Sequence, residues 1–202
     1  LDRPWFSPGG ENIYASFILR PSLPPSTASR MVLLTAVAAA EALMETTGLL
    51  ATLKWPNDIL VDGKKIAGIL LEMSVEMDAI DYMIVGLGIN VNSPVERFPR
   101  DSRKKITSVL METGKTSSRV HLLVRFLELF EERYDALAIS GFEPVIARWK
   151  TLTDIVGKQA TIRTLNGSCQ GVITDMDHDG FLIIRDNDGS ETRLFSGDIT
   201  II

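Results

Sequence analysis

The sequence holds a single cysteine, Cys169, and two widely separated histidines, His121 and His178. An internal disulfide framework is therefore excluded, and so is a standard zinc site. No apolar run approaches the roughly 20 residues that a bilayer-spanning helix requires, and the first residues carry no signal-peptide pattern; a cytoplasmic chain that stays off membranes is expected. Excess positive charge is lacking as well. The formal net charge of −5 argues against non-specific nucleic-acid binding and leaves room only for local basic patches. Internal repeats and low-complexity tracts are missing. What is present is ordinary for a globular protein: 45% apolar and 23% charged residues in a chain of 202, enough for one substantial domain and a small one.

The pattern along the chain divides near residue 153. Alternation of Ile13, Ala15, Phe17 and Leu19 predicts a half-buried strand. After "RPSLPPS", Ser26 or Thr27 can cap a helix running to about Thr47 and stopped by Gly48. "YMIVGLGINVN" reads as a buried strand entering a glycine-bearing turn, and a short helix is predicted around Ser102–Met111. Ser117 or Ser118 caps a longer helix with an apolar stripe of Leu123, Phe126, Leu127, Phe130, Tyr134 and Leu137, and Glu143 to Leu152 forms another. From residue 154 onward, short strands joined by "NG", "DHDG" and "DNDG" turns predict a small SH3-like β-barrel. Within it, Asp175, Asp177, Asp179 and Gly180 match the first half of a calcium loop. Asp186 stands where that loop needs glutamate, and strands flank it, so the run reads as a hairpin turn.

The chemistry concentrates in "LKWPNDILVDGKKIAGILLE", Leu53 to Glu72, two apolar runs around an Asp62-Gly63 hairpin turn. Pro56 removes a ladder donor and holds Trp55 extended, so regular pairing stops there. Asn57 offers a donor and an acceptor side by side, the pattern that adenine's N6/N7 edge demands; Asp58 can hold Mg²⁺ and Lys54 can offset phosphate charge. The same residues, taken alone, also fit a strand end with a turn and a surface tryptophan. Simple alternation puts Lys65 on one face with Ala67, Ile69 and Leu71, and Lys64 on the other with Ile66, Gly68 and Leu70. It does not say which face is functional. Gly68 interrupts an apolar strand, which suggests close approach to the backbone there. Gly86 and Gly88 in "GLGIN" allow a ligand to lie against the chain beside Asn90, although the third glycine of a dinucleotide fingerprint is missing.

Together and in this order, "RPWFSPGGENIYAS", "KWPND", "GKKIAGILLE" and "GLGIN" resemble the biotin protein ligases, and the C-terminal barrel fits that likeness. The resemblance spans essentially the whole chain. It implies an α+β fold: a class II synthetase-like catalytic domain, residues 1–153, with a mixed β-sheet packed with helices, followed by the SH3-like domain, residues 154–202. It implies ATP-dependent activation of biotin as biotinyl-5′-adenylate, assisted by Mg²⁺, and transfer to a lysine of a biotin carboxyl carrier protein. By family likeness Lys65 is the catalytic charge. Asn57 and Asn90 read adenine, Asp58 assists the metal, and Gly68, Gly86 and Gly88 let the ligand lie on the strands. Arg3 and Trp5 fall in a loop that closes over the adenylate. Members normally carry a strand, a helix and a "GRGR"-type stretch before the segment matching "LDRPW", so a truncated catalytic domain is expected here. The repressor-type DNA-binding domain is also missing, which implies no DNA partner; family members often form homodimers. Two other readings compete: a non-catalytic or incomplete ligase-like binding module, and a lipoate or octanoate transferase, which shares the catalytic fold.

Overall fold

The computed structural model describes residues 9–164 and 167–202. Among the described residues are two five-stranded sheets and four α-helices. The first sheet contains β1 (Ile13–Leu19), β2 (Ala51–Lys54), β3 (Asp58–Val61), β4 (Lys64–Glu76) and β5 (Ala79–Ile89), in the spatial order β1-β5-β4-β3-β2. Every ladder in it is antiparallel; the mixed character expected of this sheet is confined to one isolated parallel bridge between Lys65 and Ile106. Asp62 and Gly63, at φ 49° and 73°, form the tight β3–β4 turn, whose two left-handed residues match the twist of the flanking strands.

One face of this sheet is the core. The directly opposed residues Ile13, Ile89, Ala67, Ile59 and Leu53 form a continuous buried row across all five strands. Against this side pack α1 (Ala28–Thr47), α3 (Arg119–Ser140) and α4 (Glu143–Leu152), joined in a single apolar cluster. α1 is long and apolar enough to cross a membrane, but it is the central core helix, with Met31, Leu34, Val37, Ala38 and Leu43 inaccessible. It begins after Thr27 and ends at Gly48, as predicted; the Thr27 hydroxyl, however, donates back to the Pro24 carbonyl rather than capping the helix. In α3, capped by Ser118, the buried positions are Leu122, Phe126, Leu129 and Phe130. Leu127 points outward, so the stripe lies slightly rotated from the predicted one.

The predicted helix over 102–111 is a further departure. Only Val109–Thr113 (α2) is helical, with the Ser108 hydroxyl accepting from the Met111 amide as its cap. Upstream, the backbone of 105–107 is used instead as a partner for β4: Lys65 N–H donates to the Lys105 carbonyl (2.8 Å) and Thr107 N–H to the Lys65 carbonyl (2.9 Å). Pairing with the start of β4 has overridden local helix propensity.

The second sheet holds β6 (Gln159–Thr164), β7 (Gly167–Met176), β8 (Leu182–Arg185), β9 (Glu191–Leu194) and β10 (Asp198–Ile201), ordered β10-β6-β7-β8-β9 and antiparallel throughout. The "DHDG" run is the β7–β8 turn. Asp177 Oδ1 accepts from the amides of Asp179 and Phe181, and Arg193 binds the carboxylates of Asp177 and Asp179. No group of three or more His, Cys, Asp or Glu side chains arranged to hold a metal occurs among the described residues.

Candidate active site

Opposite the core row, the first sheet carries a second row of directly paired residues: Tyr14, Gly88, Gly68, Asp58 and Lys54. One step along the strands lies Ser16, Gly86 and Leu70. Paired residues of an antiparallel sheet share a face, so three glycines form a floor with no side chains, bounded by Tyr14 on one flank and by Asp58 and Lys54 on the other. A Cβ built on Gly86 would make only ordinary contact with Leu70, 3.6 Å away, so the fold itself does not exclude a larger residue there.

The position of Lys65 depends on an irregularity that the sequence did not reveal. Ile59 pairs with Ala67, but the next residue, Leu60, pairs with Lys65, leaving Ile66 as an extra residue in β4. Such a bulge reverses the alternation of side chains beyond it. Lys65 is thereby turned away from Ala67 and Ile69 and onto the face of Gly68 and Asp58, correcting the simple alternation. Its ammonium group is ion-paired with the Asp58 carboxylate. Lys64 projects to the opposite side, 3.2 Å from Glu112 Oε1. Three segments meet at the bulge: β3, Asn90 and residues 105–107. Ile66, fully buried, accepts from the Asn90 amide (2.8 Å), and Lys65 is clasped by residues 105–107.

Both asparagines are partly committed to the scaffold. Asn57 Nδ2 donates to the Ile69 carbonyl (2.7 Å), while the Asn57 carbonyl accepts from Ile69 N–H (3.0 Å); this restores pairing where Pro56 interrupts it. Asn90 Nδ2 donates to the Thr107 carbonyl (3.0 Å). Each amide keeps one N–H and its carbonyl oxygen for a ligand. Trp55 is not on the surface. It is 3% exposed, and its indole N–H donates 3.1 Å to the Gly180 carbonyl of the β7–β8 turn. Arg3 and Trp5 lie outside the described residues.

Thr107 and Glu112 join the site without any signal in the sequence. Thr107 is fully buried, and its hydroxyl donates to Glu112 Oε1. That hydrogen bond, with further help from Lys64 and against the cost of partial burial, holds the Glu112 carboxyl below its ordinary range. No motif announced the pair, since a threonine before a serine-capped turn is common in any sequence.

Comparison with known proteins gives this arrangement its context. Residues 2–90 match the Biotin/lipoate A/B protein ligase family, and residues 155–201 match the Biotin protein ligase C terminal domain. A biotin–[acetyl-CoA-carboxylase] ligase of Paracoccus denitrificans is 31% identical over 186 residues, covering 91% of this chain and 77% of that protein. The bifunctional ligase/repressor BirA of Bacillus subtilis is 35% identical over 201 residues. This chain spans 62% of that relative's length. Among solved structures, the Aquifex aeolicus biotin protein ligase in complex with biotin and ATP superposes with a TM-score of 0.80 at 26% identity, over 95% of this chain and 78% of that one. The chain belongs to the biotin protein ligase family.

Proposed function

We propose that this chain carries the adenylation and transfer site of an ATP-dependent biotin ligase. The observation that carries the reading is the glycine-floored row Tyr14–Gly88–Gly68–Asp58–Lys54, with Lys65 brought onto the same face by the bulge at Ile66. The first step joins two anions: biotin's carboxylate attacks the α-phosphate of ATP, forming biotinyl-5′-adenylate and expelling pyrophosphate. A fixed cation aimed at the developing charge is the device such a step needs, and Lys65 supplies it. Gly68, Gly86 and Gly88 let the adenylate lie against the strands, and Leu70 (55% exposed) offers apolar surface beside them. In the second step a lysine amine of a biotin carboxyl carrier domain attacks the mixed anhydride, forming an amide and releasing AMP.

Asn57 and Asn90 serve the adenine edge with the amide groups left over from their scaffold bonds, and by family likeness Arg3 and Trp5 contact the ligand. Asp58 suits Mg²⁺, which commonly takes one or two carboxylates together with substrate phosphates. When bound, the ion would neutralise phosphate charge. Asp58 also holds Lys65 by ion pairing, so a cation at Asp58 would loosen that hold and free the ammonium group for the substrate. The catalytic domain spans 1–153 and the SH3-like domain 154–202, a division supported by the change from helices to short turned strands. Cytoplasmic location and a homodimer belong to the reading by family likeness alone. Nothing in the site favours a lipoate transferase or a non-catalytic module over the ligase.

The test is biotin transfer to a carrier domain by the full-length protein. ATP-dependent labelling with release of pyrophosphate and AMP is expected; labelling without ATP, or with lipoate in preference to biotin, would refute the reading. Asn57→Ala is expected to weaken ATP binding by about 1–3 kcal/mol, the cost of an unmet buried polar group, and biotin binding by much less. Titration calorimetry with each ligand decides it, and an unchanged ATP affinity removes Asn57 from the adenine site.

A further inference from the structure

We propose that Thr107, anchored by Glu112, is the residue that positions Lys65 and Asn90 relative to each other; the proposal rests on the ligase reading of those two side chains. Thr107 touches both through its backbone. Its N–H donates to the Lys65 carbonyl at 2.9 Å, and its carbonyl accepts from Asn90 Nδ2 at 3.0 Å. Lys65 lies on β4 and Asn90 just past the end of β5, and although the Asn90 N–H donates to the Ile66 carbonyl at 2.8 Å, that backbone bond does not fix the Asn90 side chain relative to Lys65. A segment that bonds to both does. That segment is not a strand of the sheet, and it meets β4 in one isolated bridge at Ile106.

What keeps Thr107 in place is its side chain. The hydroxyl is buried and donates to Glu112 Oε1, while Lys64 Nζ approaches the same oxygen at 3.2 Å from behind the strand. Glu112 rides on α2, and the helix start is fastened from the other side: Ser108, also fully buried, donates to the Ser93 carbonyl at 2.7 Å and accepts from Met111 N–H. A buried hydroxyl facing a carboxylate is a directional tether. Valine has the same shape but no donor, so it would leave the Glu112 oxygen with Lys64 alone and release residues 105–107 from their register.

Three variants of the whole protein test this: Thr107→Val, Thr107→Ser and, as a control for the site itself, Lys65→Ala. Native-state amide exchange and the steady-state kinetics of adenylate formation are measured on each. In Thr107→Val, exchange at the Lys65 and Thr107 amides should rise about tenfold or more, the scale set by stranding a buried acceptor, while the β5 core amides stay protected. The same variant should lose kcat and gain KM for ATP by comparable factors, and Thr107→Ser, which keeps the hydroxyl, should recover most of both. Unchanged exchange in Thr107→Val overturns the proposal. So does raised exchange with wild-type kcat and KM, or an equal defect in Thr107→Ser. If the unsubstituted protein forms no adenylate, the ligase reading fails, and the tether is judged on the exchange result alone.

Discussion

Lys65→Ala is expected to reduce adenylate formation by about 10²–10³-fold, the loss typical when one preorganised charge or donor is removed from a site where charge develops. The expectation follows from the bulge. Without the bulge at Ile66, Lys65 would point into the buried layer that holds Ala67 and Ile69, where an ammonium group is costly to desolvate. With it, the ammonium sits over the glycine floor, paired to Asp58 until a more negative partner arrives. Truncation would also leave the Asp58 carboxylate without its counter-charge and facing the α-phosphate, so repulsion adds to the loss. Lys64→Ala should lose far less. That ammonium lies behind the strand against Glu112 and reaches the site only by way of the Thr107 tether. Pyrophosphate release from biotin and ATP measures both variants, and equal losses in the two would mean that the bulge does not set the functional face.

That contrast shows how far a sequence can be read. The elements themselves were legible because each carries its own local signal: the Asp62-Gly63 turn, the Gly48 stop, the Ser118 cap, the alternation in β1 and the crowded turns after residue 154. "KWPND" and "GKKIAGIL" lie on the β2–β3 connection and the β3–β4 hairpin, as their spacing around Asp62-Gly63 predicts. What stayed hidden depends on partners distant in sequence. A bulge is a mismatch between two strands, and neither strand alone records it. The pairing of Lys105–Thr107 with β4 replaced a predicted helix because a strand partner as far upstream as Lys65 is invisible to helical periodicity. The sequence alone left a surface position open for Trp55, because its cover comes from Gly180, 125 positions downstream. Thr107 and Glu112 gained their meaning only once Asn90 and Lys65 were set beside them.

Trp55→Ala is expected to cost about 3–5 kcal/mol of stability, the range for removing a large buried aromatic side chain, and to impair the site as well. The reason lies in what Trp55 joins. It precedes Pro56, Asn57 and Asp58, and its indole N–H reaches the carbonyl of Gly180 in the second sheet's β7–β8 turn. That turn is seated on the start of α1. The Ser29 hydroxyl donates to the Asp179 carbonyl at 3.0 Å, Arg30 lies 3.6 Å from the Asp179 carboxylate, and Gly180 stands so close to Leu33 that an added Cβ would meet its Cδ1 at 2.6 Å. Gly180 also has φ +81°, a conformation that side chains strain to adopt. Trp55→Phe keeps most of the apolar bulk and loses only the donor, so it should cost about 1–3 kcal/mol. Gly180→Ala should cost more than the conformational preference alone, because Leu33 must move as well. Since both substitutions act on one contact, their combination should be markedly less than additive in urea unfolding followed by circular dichroism. Both should also raise KM for ATP, because Asn57 and Asp58 follow directly from the displaced indole. Additive destabilisation with an unchanged KM would show that the second sheet is merely attached to the site hairpin and does not hold it in place.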